Sequence, residues 1–176
     1  MALRRLGRLD EAVASASRAA EMFKANDDID GYCQCLGTLG DCLRDDGRYA
    51  EALDQFLTMH DLADHEGSGM TPSIAALTRP STLARVGECL GLLGRPTEAV
   101  TKLTEAISLM EELQLSGQQA RSLEILAAVL VDEGRTDESR RAYERAAEVF
   151  EAIGDIEASS RCQDLATAAA DTPKVS

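Results

Sequence analysis

The two histidines of the chain, His60 and His65, stand in one acidic stretch, MHDLADHE. On a helix, His60 and Asp64 are four residues apart and share a face, and an imidazole beside a carboxylate is the beginning of a metal site. The pair is weak, and solvated polar residues are the plainer reading, so no metal is expected. Cys33 and Cys35 are two apart and point to different sides of a helix, which rules out the usual metal or redox pair. With Cys42, Cys89 and Cys162 they make an odd set of five without paired spacing, as expected of small buried thiols in a reducing cytosol. Acidic pairs such as Asp45-Asp46 and Glu111-Glu112 read as exposed faces. There is no glycine-rich phosphate loop, no HExxH, and no Ser or Cys nucleophile with a base near it in sequence. The expectation is a protein that is not an enzyme and carries no cofactor.

Composition narrows the partners. The 176 residues carry a formal net charge of −13, are 44% hydrophobic and only 3% aromatic, and contain no tryptophan. A phosphate backbone needs clustered lysine and arginine, so direct nucleic-acid binding is not expected. Of 18 basic residues only Lys24, Lys102 and Lys174 are lysines, a bias that suggests a GC-rich, bacterial gene. The N-terminus lacks the apolar run of a signal peptide, and no stretch approaches the ~20 apolar residues of a membrane helix. The expected location is the cytoplasm.

Any binding residues must be held by elements, and these announce themselves by repetition. GRLDEAVASA, GRYAEALDQF, GRPTEAVTKL and GRTDESRRAY begin at Gly7, Gly47, Gly94 and Gly134, at intervals of 40, 47 and 40 residues. Four residues before each glycine stands a leucine: Leu3, Leu43, Leu90 and Leu130. Three units carry a large-then-small pair further upstream, Leu39-Gly40, Val86-Gly87 and Leu126-Ala127, where a small residue lets two helices approach. Downstream, Ala12, Ala52, Ala99 and Ser139 open a stripe that continues through Ala16, Phe56, Leu103 or Tyr143 and then Ala19, Met59, Ala106 or Ala146. Offsets of four and three keep each stripe on one helical face, so every copy is the turn and second helix of an antiparallel pair.

The Leu-Gly pair, the turn glycine and the Ala…Phe/Tyr…Ala stripe, in this order, resemble the tetratricopeptide repeat family over roughly residues 1 to 170. Units of 40 or more residues, against the family's usual 34, and the missing closing proline depart from its pattern. The fold this implies is all-α, a right-handed α-solenoid of antiparallel helix pairs in a single array over residues 1–171. Three complete pairs are expected, with a half-unit before them and a lone capping helix at about 155–170, then a disordered tail over 172–176. Asp27-Asp28, Ser116 and Asp155 stand where helix N-caps are expected. HEGSGMTPSIAALTRPS inserts seven residues into the third unit, and Pro80 either kinks its helix or starts it.

In the family this chain resembles, the first helices of successive pairs line a concave surface that reads a partner. Carried onto this sequence, the lining comprises Gln34, Asp41, Arg44 and Asp45, then Glu88 and Leu92, then Arg121, Glu124 and Asp132, and finally Arg161 and Asp164. Acids, arginines and small residues hold the places where some relatives clamp a terminal carboxylate with lysine and asparagine, so that clamp is not expected. The lining suits a basic segment or an amphipathic helix near Leu92; it serves equally as a solvated face that keeps the array soluble. The long units also resemble the C-terminal repeats of actinobacterial multidomain transcription regulators. That implies an interaction or sensor module acting on a protein partner or on other domains of a parent chain. The alternative is a free-standing adaptor that forms a homodimer through an N-terminal edge around Leu3, Leu6 and Leu9.

Overall fold

The computed structural model describes residues 8–170, which form eight α-helices and no strand. They are α1 (Leu9–Ala25), α2 (Ile29–Asp45), α3 (Tyr49–Asp64), α4 (Pro72–Leu92), α5 (Pro96–Glu112), α6 (Ser116–Asp132), α7 (Thr136–Ala152) and α8 (Ile156–Ala170). The chain divides between Leu93 and Gly94 into two compact units, four described helices in each. Within each unit every helix packs on its neighbours in sequence. Leu3, Leu6, Gly7 and the 172–176 tail lie outside the described residues. Leu9 is half-buried, and the outward face of α1 carries Glu11, Ser15, Arg18 and Glu21.

The turn glycine and the leucine four residues before it form one device. At the end of α6 the N–H of Arg135 donates to the Leu130 carbonyl at 2.9 Å, and that of Gly134 to Val131 at 2.9 Å. This double closure satisfies carbonyls that the helix leaves open, and it requires a left-handed residue, which glycine adopts without a Cβ clash; Gly134 has φ +71°. The same two bonds recur after α2, from Arg48 to Leu43 and from Gly47 to Arg44. They also close α1, α5 and α7, with Asp27, Gln114 and Gly154 in the left-handed position.

The arginine after each turn glycine reaches forward to the glutamate three residues on. Arg48 meets Glu51 at 2.7 and 2.6 Å, Arg95 meets Glu98 at 2.7 Å twice, and Arg135 meets Glu138 at 2.8 and 2.7 Å. Arg8 and Glu11 pair in the same way. These hydrogen bonds hold the three glutamates Glu51, Glu98 and Glu138 below the usual carboxylate range. The repeated arginine therefore organises a helix start, with its acid at the positive end of the helix dipole.

Small residues face large ones where helices cross. A Cβ on Gly40 would collide with the ring of Phe56, whose side chain is fully buried between α2 and α3. In α7 the small position is Ser139, whose hydroxyl donates to the Ala127 carbonyl at 2.8 Å, so its polarity is satisfied in the core. Cys33, Leu36, Met59, Ala63 and Met70 form one apolar cluster in the first unit. Leu123, Ala127, Tyr143, Ala146, Phe150 and Cys162 belong to the larger cluster of the second. Cys33 and Cys89 are buried and Cys35 is only partly so; burial pushes the Cys33 and Cys89 thiols up to about 11. The structure thus places Cys33 and Cys35 on different sides, as their spacing predicts.

The insertion lengthens α4 to 21 residues, against 16 in α3 and 17 in α5. Pro72 starts the helix and Pro80 lies inside it, buried. Pro80 has no N–H for the Ala76 carbonyl, and next to this gap the hydroxyls of Ser81 and Thr82 both donate to the Thr78 carbonyl, at 2.9 and 2.7 Å. Met70, Ile74 and Ala75 from the insertion join the first unit's core, and Asp30 of α2 accepts from both the amide (3.0 Å) and the hydroxyl (2.5 Å) of Thr71. Asp28 and Asp155 cap as expected, accepting from Gly31 and Ala158 at 2.8 and 3.1 Å. Ser116 does not cap: the turn closes on Leu115, and Ser116 is already the first helical residue.

Two outcomes follow from this packing. Gly40→Ala should lower unfolding stability by about 1–3 kcal/mol in urea titration, and adding Phe56→Leu should recover part of it, since the loss is overpacking against the ring. Thr71 holds the Asp30 pKa down in the folded state. A depressed carboxylate contributes stability above its unfolded pKa and loses it as pH falls through the folded one. Acid titration of the wild type should therefore show a loss across the low carboxylate range that is smaller in Asp30→Asn.

Candidate functional site

In the first unit the proposed lining residues lie on α2 and α4, and the structure brings four of the six together. Arg44 reaches Glu88 at 2.7 Å, Asp45 at 3.2 Å and Asp41 at 3.5 Å. Arg85 on α4 closes the group, reaching Asp41 at 3.4 Å while its guanidinium stands 5.6 Å from the centre of the Phe56 ring. Its Nη1 also passes over Gly37, 3.4 Å from where a Cβ would be, which is ordinary van der Waals contact. The Arg44 side chain is 18% exposed, Asp41 13% and Glu88 27%, so these charges work partly out of water. Burial alone would push the Arg44 pKa down; the carboxylates of Glu88, Asp41 and Asp45 outweigh it and raise the pKa.

Gln34 and Leu92 stand outside this group. Gln34 is exposed, and Leu92 leaves 48% of its surface open near the end of α4.

In the second unit the lining lies on α6 and α8. Arg161 donates to both carboxylate oxygens of Glu124, at 3.0 and 3.2 Å. A cleft of about 350 Å³ over this pair is lined by Arg121, Glu124, Asp155, Glu157 and Arg161, with the buried Phe150 beneath. Arg121, Phe150 and Asp155 also line a second cleft of about 560 Å³, at the start of α6 beside Leu115 and Ile153. Arg121 makes no ion pair among the described residues. Asp132 and Asp164 are exposed and stand apart from both clefts.

Arg85, Asp155 and Glu157 belong to these arrangements and are not among the expected lining residues; Asp155 is expected only as a helix cap. A signal for Arg85 existed. Asp41 with Arg85 and Arg44 with Glu88 are opposite charges separated by the same 44 residues. The acidic stretch near His60 has a simpler fate. Asp64 pairs with Arg79, His60 Nδ1 is buried without a hydrogen-bond partner, and no metal-binding group of three or more side chains occurs among the described residues.

The Arg44–Glu88 contact should be measurable. A double-mutant cycle with Arg44→Ala and Glu88→Ala should give a coupling of about 1 kcal/mol. The Arg161–Glu124 cycle should give less, because Arg161 is half exposed.

The model of the family described as Tetratricopeptide repeat matches residues 1–64 and 78–152. The break between the two stretches falls on the loop and first turns of the lengthened α4. Comparison with the curated proteins finds no match. Among solved structures, the chain is similar to a Podosopora anserina protein assigned as a kinesin light chain with nearly identical TPR-like repeats. That match is 16% identical, with a TM-score of 0.75, and covers 96% of this chain and 81% of that one. It is also similar to MamA, at 18% identity and a TM-score of 0.58, covering 96% of this chain and 92% of that one. At such identities the likeness concerns the fold, and the fold agrees with the helix pairs, closing turns and small-to-large crossings described above. No described helix is long and apolar enough to cross a membrane. This chain belongs to the tetratricopeptide repeat family, whose repeats generally mediate protein–protein interaction.

Proposed function

We propose that this chain is a non-enzymatic interaction or sensor module of a larger bacterial signalling or transcription regulator, and that its first helices carry the binding residues, α2 and α4 in one unit, α6 and α8 in the other. The observation that carries the reading is the contrast on those helices. Six of the nine lining charges are tied to one another, while Arg121, Asp132, Asp164, Gln34 and the exposed Leu92 remain available to a polypeptide. A basic segment or an amphipathic helix suits this lining, since it has more carboxylates than guanidinium groups and an exposed apolar side chain at the end of α4. The formal charge of −13 supports a division of labour in which other domains contact nucleic acid and the repeats hold a protein or a switch domain.

Photo-crosslinking in native cells tests the proposal. A crosslinker placed at Gln34 or Arg121 should capture one discrete polypeptide, or another part of the same chain. One placed at Thr58 on α3 or Arg140 on α7 should not. Equal yields from all four positions would remove the assignment of the lining. An immunoblot of the same cells should show the repeats in a chain well above 18.9 kDa; a band at that mass would remove the parent regulator.

A further inference from the structure

Helices α2 and α4 are each antiparallel to α3 and therefore parallel to each other, and their charges meet at a constant offset. Asp41 faces Arg85 and Arg44 faces Glu88, both 44 residues on. The sign order on α2 is acid then base, three residues apart; on α4 it is base then acid, also three apart. From these residues we infer that the four charges form a register lock, which holds α4 at one axial position on α2 and penalises a slide of one turn in either direction.

Sliding α4 by three residues one way brings Glu88 opposite Asp41, acid against acid. Sliding it the other way brings Arg85 opposite Arg44, base against base. Either slide replaces two attractive contacts with one repulsive contact among groups that are only partly solvated, where charges act strongly. Buried or half-buried ion pairs contribute little net stability, but fixing a register is among their best-attested uses. The first unit has particular need of it. α4 is about one turn longer than its neighbours, carries Pro80 in its interior, and begins with the inserted residues. A longer helix with an interrupted hydrogen-bond ladder offers more than one way to lie along its neighbour. The second unit has a single bidentate pair between α6 and α8, Arg161 with Glu124, and no alternating set among its described residues.

Arg85 also anchors the lock sideways. Its guanidinium spans from Asp41 on α2 to the Phe56 ring on α3, so α4 is held to both helices beneath it. The lock thus fixes which side chains of α4 stand beside which side chains of α2 on the proposed binding face.

The test is a charge-order swap read by distance. Spin labels at Gln34 near the start of α2 and Leu92 at the end of α4, both exposed and well apart along the helix axes so that a slide changes their distance, would be introduced after Cys35→Ser, the other described cysteines being buried. The wild-type order should give one narrow distance. Arg85→Glu with Glu88→Arg reverses the order on α4 and should broaden the distribution or displace it by about 4–5 Å, three residues of helix rise. Adding Asp41→Arg and Arg44→Asp reverses the order on α2 as well and should restore the narrow wild-type distance, although the contact with Phe56 stays lost. If the two-residue swap fails to fold, recovery of helix content and distance in the four-residue swap still supports the lock. A two-residue swap that leaves the distance unchanged overturns it, and so does a four-residue swap that folds without restoring the distance. As a further check, Arg85→Gln with Glu88→Gln should broaden the distribution without a repulsive contact; a distribution as narrow as wild type would show that apolar packing alone sets the register.

Discussion

The close approach of neighbouring helices depends on a small residue facing a large one. Phe56 lies against Gly40 with no room for a single added carbon, and the remainder of the first unit is arranged around that contact. Because α3 can come so near α2, the Phe56 ring is reachable from α4 by Arg85, and the charges of α2 and α4 come within hydrogen-bonding distance. Were α2 and α3 held further apart, the apolar cluster of Cys33, Leu36 and Met59 would open and the ion pairs would lengthen. Packing determines the electrostatics here.

Much of this was legible in the sequence because the interactions are local and repeated. The turn glycine and the leucine four residues before it appear together because one supplies the left-handed residue and the other the carbonyl that closes the turn. The Ala52, Phe56 and Met59 stripe is periodic because one helical face meets the same kind of neighbour in each unit. The Gly-Arg-x-x-Glu pattern was equally visible, but its meaning depends on the helix start, where the arginine stands just outside the first turn and the glutamate inside it. Ser116 has the residue type of a cap yet comes one position late, because Gln114 takes the left-handed place and the turn closes on Leu115.

The less legible features depend on separations longer than a repeat. Nothing around Met70 announces a core residue, since it follows a glycine-rich loop; it is buried because Thr71 is tied to Asp30, 41 residues earlier. Arg85 looks like one more exposed arginine until α2 lies beside α4. For the lining residues, the repeat pattern indicates the helices that carry them, but not which charges neutralise one another. That distinction separates Arg44, enclosed by three carboxylates, from Arg121, which opens onto two clefts.

The order in which these contacts can form is also built into the chain. Within each unit every helix packs on its neighbours in sequence and most of the turns are short, so little chain entropy is lost before apolar burial begins, as in fast-folding helical proteins. The contacts between Asp41 and Arg85 and between Arg44 and Glu88 have no such advantage, because they must wait until α3 and the inserted loop have brought α4 back. During folding, the charged groups of the first unit should therefore join a scaffold that apolar contacts have already assembled, and their role at that stage is to reject the wrong arrival of α4.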